Sequence, residues 1–270
     1  MAELCARVES LAADVVAAYG SPAFHAWDDY EDDFREGIPL LRSSAAAVDL
    51  ESVGRVTESL VGRVAANTID GKFVSEAAAL AAELHARPDS PSLVAAWLLD
   101  ETFEPPFPGL LRYLGWTATS RYLSPLVDAF GRWRDEERWH RKYCPTCGSA
   151  PAMGQLIGAD PGRQRFLSCG GCGSRWRYRR TQCPFCENDS QRLAVLAVQG
   201  EAGLRIDYCE ACKGYLKTYD GQRDEAVQLL DWTSLHLDLV ARDRGLERMA
   251  ASLYEAPGSR EGESESSISH

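Results

Sequence analysis

The chain has 270 residues, 45% of them hydrophobic, enough to bury a core in more than one domain. No stretch approaches the ~20 apolar residues that a membrane-spanning helix requires, so no such span is expected. The net charge of −11 argues against a general binder of polyanions. Met1-Ala2-Glu3-Leu4-Cys5 has neither a basic n-region nor an apolar run, so no signal peptide is expected. A cytoplasmic location with reduced thiols follows as the expectation.

Residues 1–138 read as an all-α domain. Leu4, Val8, Leu11, Val15 and Tyr19 recur every three or four positions, the mark of an amphipathic helix, and Val53, Val56, Leu60 and Val64 repeat it in an Ala-rich stretch from about Ser44 to Asn67. Further helices are expected over 74–85, 91–100 and 119–138, with Pro105, Pro106 and Pro108 interrupting the chain before the last of them. A compact bundle is the natural architecture.

From 139 the texture changes to short segments punctuated by Gly and Pro. Eight of the nine cysteines form four Cys-x-x-Cys pairs: Cys144/Cys147, Cys169/Cys172, Cys183/Cys186 and Cys209/Cys212. The first and second pairs are separated by 21 residues (148–168) and the third and fourth by 22 (187–208). Corresponding cysteines lie 39 and 40 apart, so one module is written twice. Two thiolates on a tight knuckle grip one ion together, and a second knuckle completes a tetrahedral four-sulfur site. The gaps suit a hairpin closing each site locally, which favours sequential pairing of knuckles over an interleaved cross-brace. Zinc and iron both accept such a donor set.

Gly148 and Gly173 follow their second cysteines, where a positive φ turns backbone N–H groups toward sulfur; Glu187 and Lys213 stand at the same place in the second module, predicting looser turns there. Trp176 and Tyr178 alternate with Arg175, Arg177 and Arg179, placing aromatics on one strand face and guanidiniums on the other. Tyr215, Lys217 and Tyr219 hold a similar place after the fourth pair. The fold class expected is therefore α+β: a helical domain (1–138), two tandem rubredoxin-like or zinc-ribbon modules (139–182 and 183–222), a C-terminal helix (223–254) carrying Leu229, Trp232, Leu235, Leu239 and Leu246, and a disordered Ser/Glu/Gly-rich tail (255–270).

Several other features carry residues of the kind found at sites. Residues 139–220 carry 12 Lys/Arg and 7 Asp/Glu, a formal +5, but each four-thiolate site with a divalent ion is formally −2, so much of this basicity offsets the centres. Arg175, Arg177, Arg179 and Arg180 belong to that compensation, although they could also meet phosphate or a partner's acids. Cys5 reads as a buried thiol on a helix face. His140 reads as a linker residue, since eight sulfurs already fill eight coordination places. Asp28-Asp29-Tyr30-Glu31-Asp32-Asp33 reads as a solvated helix face rather than a cation site. No phosphate loop, nucleophile elbow or paired-histidine helix is present, so no catalytic residue and no enzyme activity is expected.

Cys144-Pro-Thr-Cys147-Gly148-Ser-Ala-Pro151, Leu167-Ser-Cys169-Gly-Gly-Cys172-Gly-Ser-Arg-Trp176, Cys183-Pro-Phe-Cys186 and Cys209-Glu-Ala-Cys212-Lys-Gly-Tyr215-Leu216-Lys217 resemble the FdhE family of formate dehydrogenase accessory (formation) proteins. A fainter likeness runs through Gly37-Ile38-Pro39-Leu40-Leu41. The resemblance implies a cytoplasmic, non-catalytic maturation factor that engages the catalytic subunit of formate dehydrogenase. It carries Cys144, Cys147, Cys169, Cys172, Cys183, Cys186, Cys209 and Cys212 over as ligands to two zinc or iron ions. A nucleic-acid-binding zinc ribbon, supported by the basic-aromatic alternation but opposed by the overall acidity, stands as the alternative. A rubredoxin-like electron carrier is the further one. Neither the metal nor the oligomeric state is set at this level.

Overall fold

The computed structural model describes residues 2–22, 24–45, 49–67, 71–100, 105–159, 161–201, 203–221, 230–231 and 233–251. Among the described residues six α-helices build the N-terminal half: α1 (Ala2–Tyr19), α2 (Trp27–Glu36), α3 (Leu50–Ala65), α4 (Gly71–His85), α5 (Ser90–Asp100) and α6 (Pro108–Trp133). α3 is the hub and packs against α1, α4, α5 and α6. Its stripe Val53, Val56, Leu60 and Val64 is fully buried, as its spacing requires. Asp49 caps its start, the carboxylate accepting from the Glu51 and Ser52 N–H groups at 3.0 and 3.4 Å. Val8 and Val15 of α1 are buried as well, whereas Tyr19 is exposed.

The last helix differs from its expected span. It begins at Pro108 and ends at Trp133. Pro108 opens it, because a proline in the first turn lacks an N–H that would be unpaired anyway. Arg134 then takes extended backbone, and 134–143 becomes the irregular lead into the first knuckle.

Seven strands follow among the described residues. β1 (Met153–Ile157), β2 (Gln164–Ser168) and β3 (Arg175–Tyr178) form the first antiparallel unit; β4 (Leu193–Ala197), β5 (Leu204–Cys209) and β6 (Gly214–Asp220) form the second. Each unit is a hairpin between two knuckles followed by an exit strand. The units are not separate, however. β1 pairs parallel with β6, so all six strands run in one sheet ordered β3-β2-β1-β6-β5-β4, and the short β7 (Glu247–Arg248) adds to β6. β3 carries the expected alternation, with Trp176 and Tyr178 buried and Arg175 exposed.

The C-terminal segment contains α7 (Leu235–Asp243). Leu229, Trp232 and the tail 255–270 lie outside the described residues. The face α7 buries is Leu237 and Ala241, against Ile206 and Tyr215. Leu239, counted in the expected stripe, is 54% exposed. An ionic contact explains this phase. Lys217, 1% exposed on β6, places Nζ 2.6 Å from both Asp231 Oδ1 and Asp238 Oδ2. Arg248 closes the ring at 2.9 Å from Asp231 Oδ2 and Asp238 Oδ1. Tyr215 donates its hydroxyl to Asp238 at 2.7 Å. Two cations and two carboxylates thus neutralise one another and anchor the C-terminal segment to the sheet.

Removing one member leaves buried charge uncompensated. Lys217→Met should therefore cost about 3–5 kcal/mol in a denaturant melt; a loss under about 1 kcal/mol would show that the network does not hold this face.

Candidate metal centres

The eight paired cysteines come together as two groups of four, Cys144/Cys147/Cys169/Cys172 and Cys183/Cys186/Cys209/Cys212, the sulfurs of each group lying within 4.8 Å of one another. This is the sequential grouping. Cys144 and Cys172 sulfurs are 3.5 Å apart, Cys147 and Cys169 3.5 Å, Cys183 and Cys212 3.8 Å, and Cys186 and Cys209 3.7 Å. A disulfide would bring sulfurs to about 2.05 Å. A tetrahedral ion with metal–sulfur bonds of about 2.3 Å spreads them to about 3.8 Å. The spacing therefore fits four-sulfur ion sites, and each group could hold one metal ion.

The knuckles share one local design. Cys144, Cys169 and Cys183 donate their N–H groups to the carbonyls of Ser149, Ser174 and Asn188, each five residues on, at 2.8–2.9 Å. The residue after the second cysteine is left-handed in all four: Gly148 (φ 85°), Gly173 (76°), Glu187 (63°) and Lys213 (60°). The second module thus makes the same turn as the first without glycine and carries the strain. N–H groups aim at sulfur from Cys172 to Cys169 (3.5 Å), Phe185 to Cys183 (3.4 Å) and Gly214 to Cys212 (3.4 Å). The Asn188 amide reaches Cys186 at 3.3 Å.

The thiol chemistry matches this crowding. Burial pushes Cys144 well up, neighbouring Cys144, Cys169 and Cys172 hold Cys147 well down, and Cys144, Cys147 and Cys172 raise Cys169. In the second group burial pushes Cys183 up to about 12. At Cys186 a burial penalty is outweighed by donation from Asn188, and the thiol falls to about 6. A cation would replace the protons on the raised thiols, so metal uptake releases protons and weakens as pH falls.

The two groups differ in their surroundings. The first is built into the main hydrophobic core, which includes all four of its cysteines together with residues of α1 to α6. A 3-10 turn at Leu40–Arg42 straps the first knuckle: the Leu40 and Leu41 N–H groups donate to the Pro145 and Thr146 carbonyls at 2.9 and 2.8 Å, and Arg42 Nε donates to the Cys147 carbonyl at 3.3 Å. Gly37 precedes the strap at φ 85°, and a Cβ there would lie 2.6 Å from the Arg141 side chain. Tyr143 donates to the Gly37 carbonyl at 2.7 Å. Trp139 stacks on Phe34 at 5.3 Å, extending an aromatic cluster of Trp27, Tyr30, Phe130 and Trp133 to the knuckle. From α6, Trp116 packs against Gly170 of the second knuckle. Among the described residues the second group has less cover, and Cys186 and Cys212 are only partly buried.

The other candidates fall outside the centres. His140 is exposed. Cys5 is half-buried rather than buried. The acidic run lies on α2, where Glu31 and Asp32 pair with Arg35 and Asp33 accepts from Ser43 at 2.5 Å. Arg175 lies over Phe166 at 4.6 Å and donates to Gln155 at 2.8 Å, and Arg177 pairs with Glu137. The strap and the Lys217 network were missed: each depends on partners distant in the chain, and only the Gly37–Leu41 likeness hinted at the former.

The model of the FdhE central domain matches residues 143–180, the first module. The protein FdhE homolog of Pseudomonas aeruginosa is 36% identical over 127 residues, 44% of this chain and 41% of that protein. The Aquifex aeolicus homolog is 32% identical over 130 residues, 46% of each chain. Protein FdhE of Escherichia coli K12 is 32% identical over 151 residues, 54% of this chain and 48% of that protein. The matches thus span just under half the length of these curated relatives. The crystal structure of the Pseudomonas aeruginosa FdhE protein superposes on 94% of this chain and 88% of its own, with a TM-score of 0.66 at 25% identity. Family model, curated relatives and crystal structure alike support the FdhE family. The FdhE likeness of sequence centres on the cysteine region, and the likeness of structure extends it across the helical half.

Among the described residues no helix is long and apolar enough to cross a membrane.

Two outcomes follow from the unequal cover and the strained turns. Metal-loaded protein challenged with EDTA should release its ions in two phases, the second group emptying faster by roughly tenfold, about 1.4 kcal/mol of local opening free energy; one phase, or first-group loss first, would contradict it. Lys213→Gly should raise the melting free energy by up to about 1 kcal/mol by relieving the left-handed strain, and no gain would mean the turn is unstrained.

Proposed function

We propose that this chain is a cytoplasmic, non-catalytic maturation factor for formate dehydrogenase that engages the enzyme's catalytic subunit. Cys144, Cys147, Cys169 and Cys172 hold one zinc or iron ion, and Cys183, Cys186, Cys209 and Cys212 hold a second. The reading rests on the likeness to FdhE proteins together with one observation: both four-sulfur groups are supplied wholly by this chain, which leaves an ion no open position for substrate. Metal at such centres supplies cross-linking. The chain's own residues do the rest, with the Leu40–Arg42 strap orienting the first knuckle and the β1–β6 pairing locking the two modules into one rigid sheet. The domain division is read as 1–138, 139–182, 183–222, 223–254 and 255–270.

The partial exposure of Cys186 and Cys212 favours one further reading, electron transfer by iron at the second centre. Visible iron bands with reversible reduction would support it, and colourless protein with zinc would exclude it. The nucleic-acid reading loses support because Arg175 and Arg177 are engaged within the module.

Cys144→Ser and Cys183→Ser should each lower metal content and, in cells lacking the native protein, formate dehydrogenase activity, with client transcript unchanged. Full activity with both centres emptied would contradict the proposal.

A further inference from the structure

The repeat makes the two centres comparable residue by residue. At the offset of 39 Thr146 corresponds to Phe185, and at the offset of 40 Ser174 corresponds to Gly214. In the first module both side chains are fully buried and meet across the two knuckles, Thr146 Oγ1 lying 2.6 Å from Ser174 Oγ. In the second module a ring lies against a glycine instead: a Cβ on Gly214 would come within 2.9 Å of Phe185 Cδ2. Serine does not fit beside that ring. The contact between knuckles is therefore polar in one module and apolar in the other.

The hydroxyl pair is continuous with sulfur. Ser174 Oγ lies 3.3 Å from Cys172 Sγ. While Cys172 is a thiol, its S–H donates to Ser174. A bound ion takes the place of that proton, and because a hydroxyl rotates to suit its partners, Ser174 then donates to the thiolate. With its own hydrogen committed to sulfur, Ser174 can only accept from Thr146. Loading thus fixes one direction, from Thr146 to Ser174 to Cys172. Thr146 is itself held by the strap, its carbonyl accepting from the Leu41 N–H at 2.8 Å. In the second module Cys212 accepts from the Gly214 N–H at 3.4 Å, and Phe185 and Gly214 have no hydroxyl to join their knuckles.

We infer that Thr146 and Ser174 are positioning residues of the first centre: their hydroxyl pair ties the two knuckles together before an ion arrives and then supplies a hydrogen bond to the Cys172 thiolate. A tie already made in the empty site lowers the ordering cost of loading. A hydrogen bond to the bound thiolate adds affinity. The first centre accordingly fills before the second. The inference rests on the reading that each four-sulfur group holds one ion, and it names residues beyond the eight sulfurs that rank the two sites.

The test is titration of full-length, metal-free protein with cobalt(II), followed by zinc in competition with a chromogenic chelator. The unaltered chain should take up its two ions in two steps. Ser174→Ala and Thr146→Val should weaken the site that Cys144→Ser removes by roughly tenfold or more and leave the other unchanged. Thr146→Ser, which keeps the hydroxyl, should match the unaltered chain. Ser174→Ala should also move the thiolate-to-cobalt absorption of that site to lower energy, because a sulfur relieved of a hydrogen bond holds its electrons less tightly. Loss of packing alone would leave the band in place. Neither site weakened, both weakened equally, or Thr146→Ser as weak as Thr146→Val would overturn the inference. If circular dichroism shows Ser174→Ala unfolded, the two Thr146 variants decide. Failure of the unaltered chain to bind two ions through sulfur would defeat the two-centre reading itself; two sulfur-bound ions indifferent to these hydroxyls would defeat only the relay.

Discussion

Eight thiols held 3.5–3.8 Å from their neighbours, rather than bonded or dispersed, set the terms for the rest of this molecule. Sheet units of this size have little apolar interior of their own, and cross-linking by an ion substitutes for it. The first group does more. Its cysteines are buried in the same core as α1 to α6, so the centre lies at the seam between helices and sheet. An ion there would tie together the strap at Leu40–Arg42, the aromatic cluster ending at Trp139 and the knuckle that begins the sheet. Helical half and ribbon half are therefore one cooperative structure at this point.

The second group belongs to the β4–β6 unit, joined to the first unit through the parallel β1–β6 pairing and through Lys142, whose ammonium donates to the Phe185 carbonyl at 2.8 Å. Its partial exposure, its non-glycine turns and the neighbouring edge at β4, where β5 is the only strand partner among the described residues, all fall in one unit. The fold thus divides a rigid, interior end from an accessible end.

Much of this was legible in the sequence because the signals are local. Cys-x-x-Cys knuckles need only short-range turn chemistry, and their 39- and 40-residue offset exposes the repeat directly. The alternation at Trp176 and Tyr178 and the stripe from Val53 to Val64 likewise report burial through periodicity alone. What escaped depends on distant partners. Lys217 looks like an ordinary exit-strand lysine until Asp231, Asp238 and Arg248 surround it. That network and the Leu237/Ala241 pair together set which face α7 turns inward, so Leu239 lies outside it. The β1–β6 pairing joins residues about sixty apart, and no local pattern announces it. Pro108 was read as an interruption because proline breaks helix interiors, whereas here it starts one.

X-ray absorption spectroscopy on protein purified without air tests the central claim most directly. Two ions per chain, each in a shell of four sulfurs at about 2.3 Å, is the expected result. Nitrogen or oxygen in the first shell, a single ion per chain, or disulfide in place of thiolate would contradict the account.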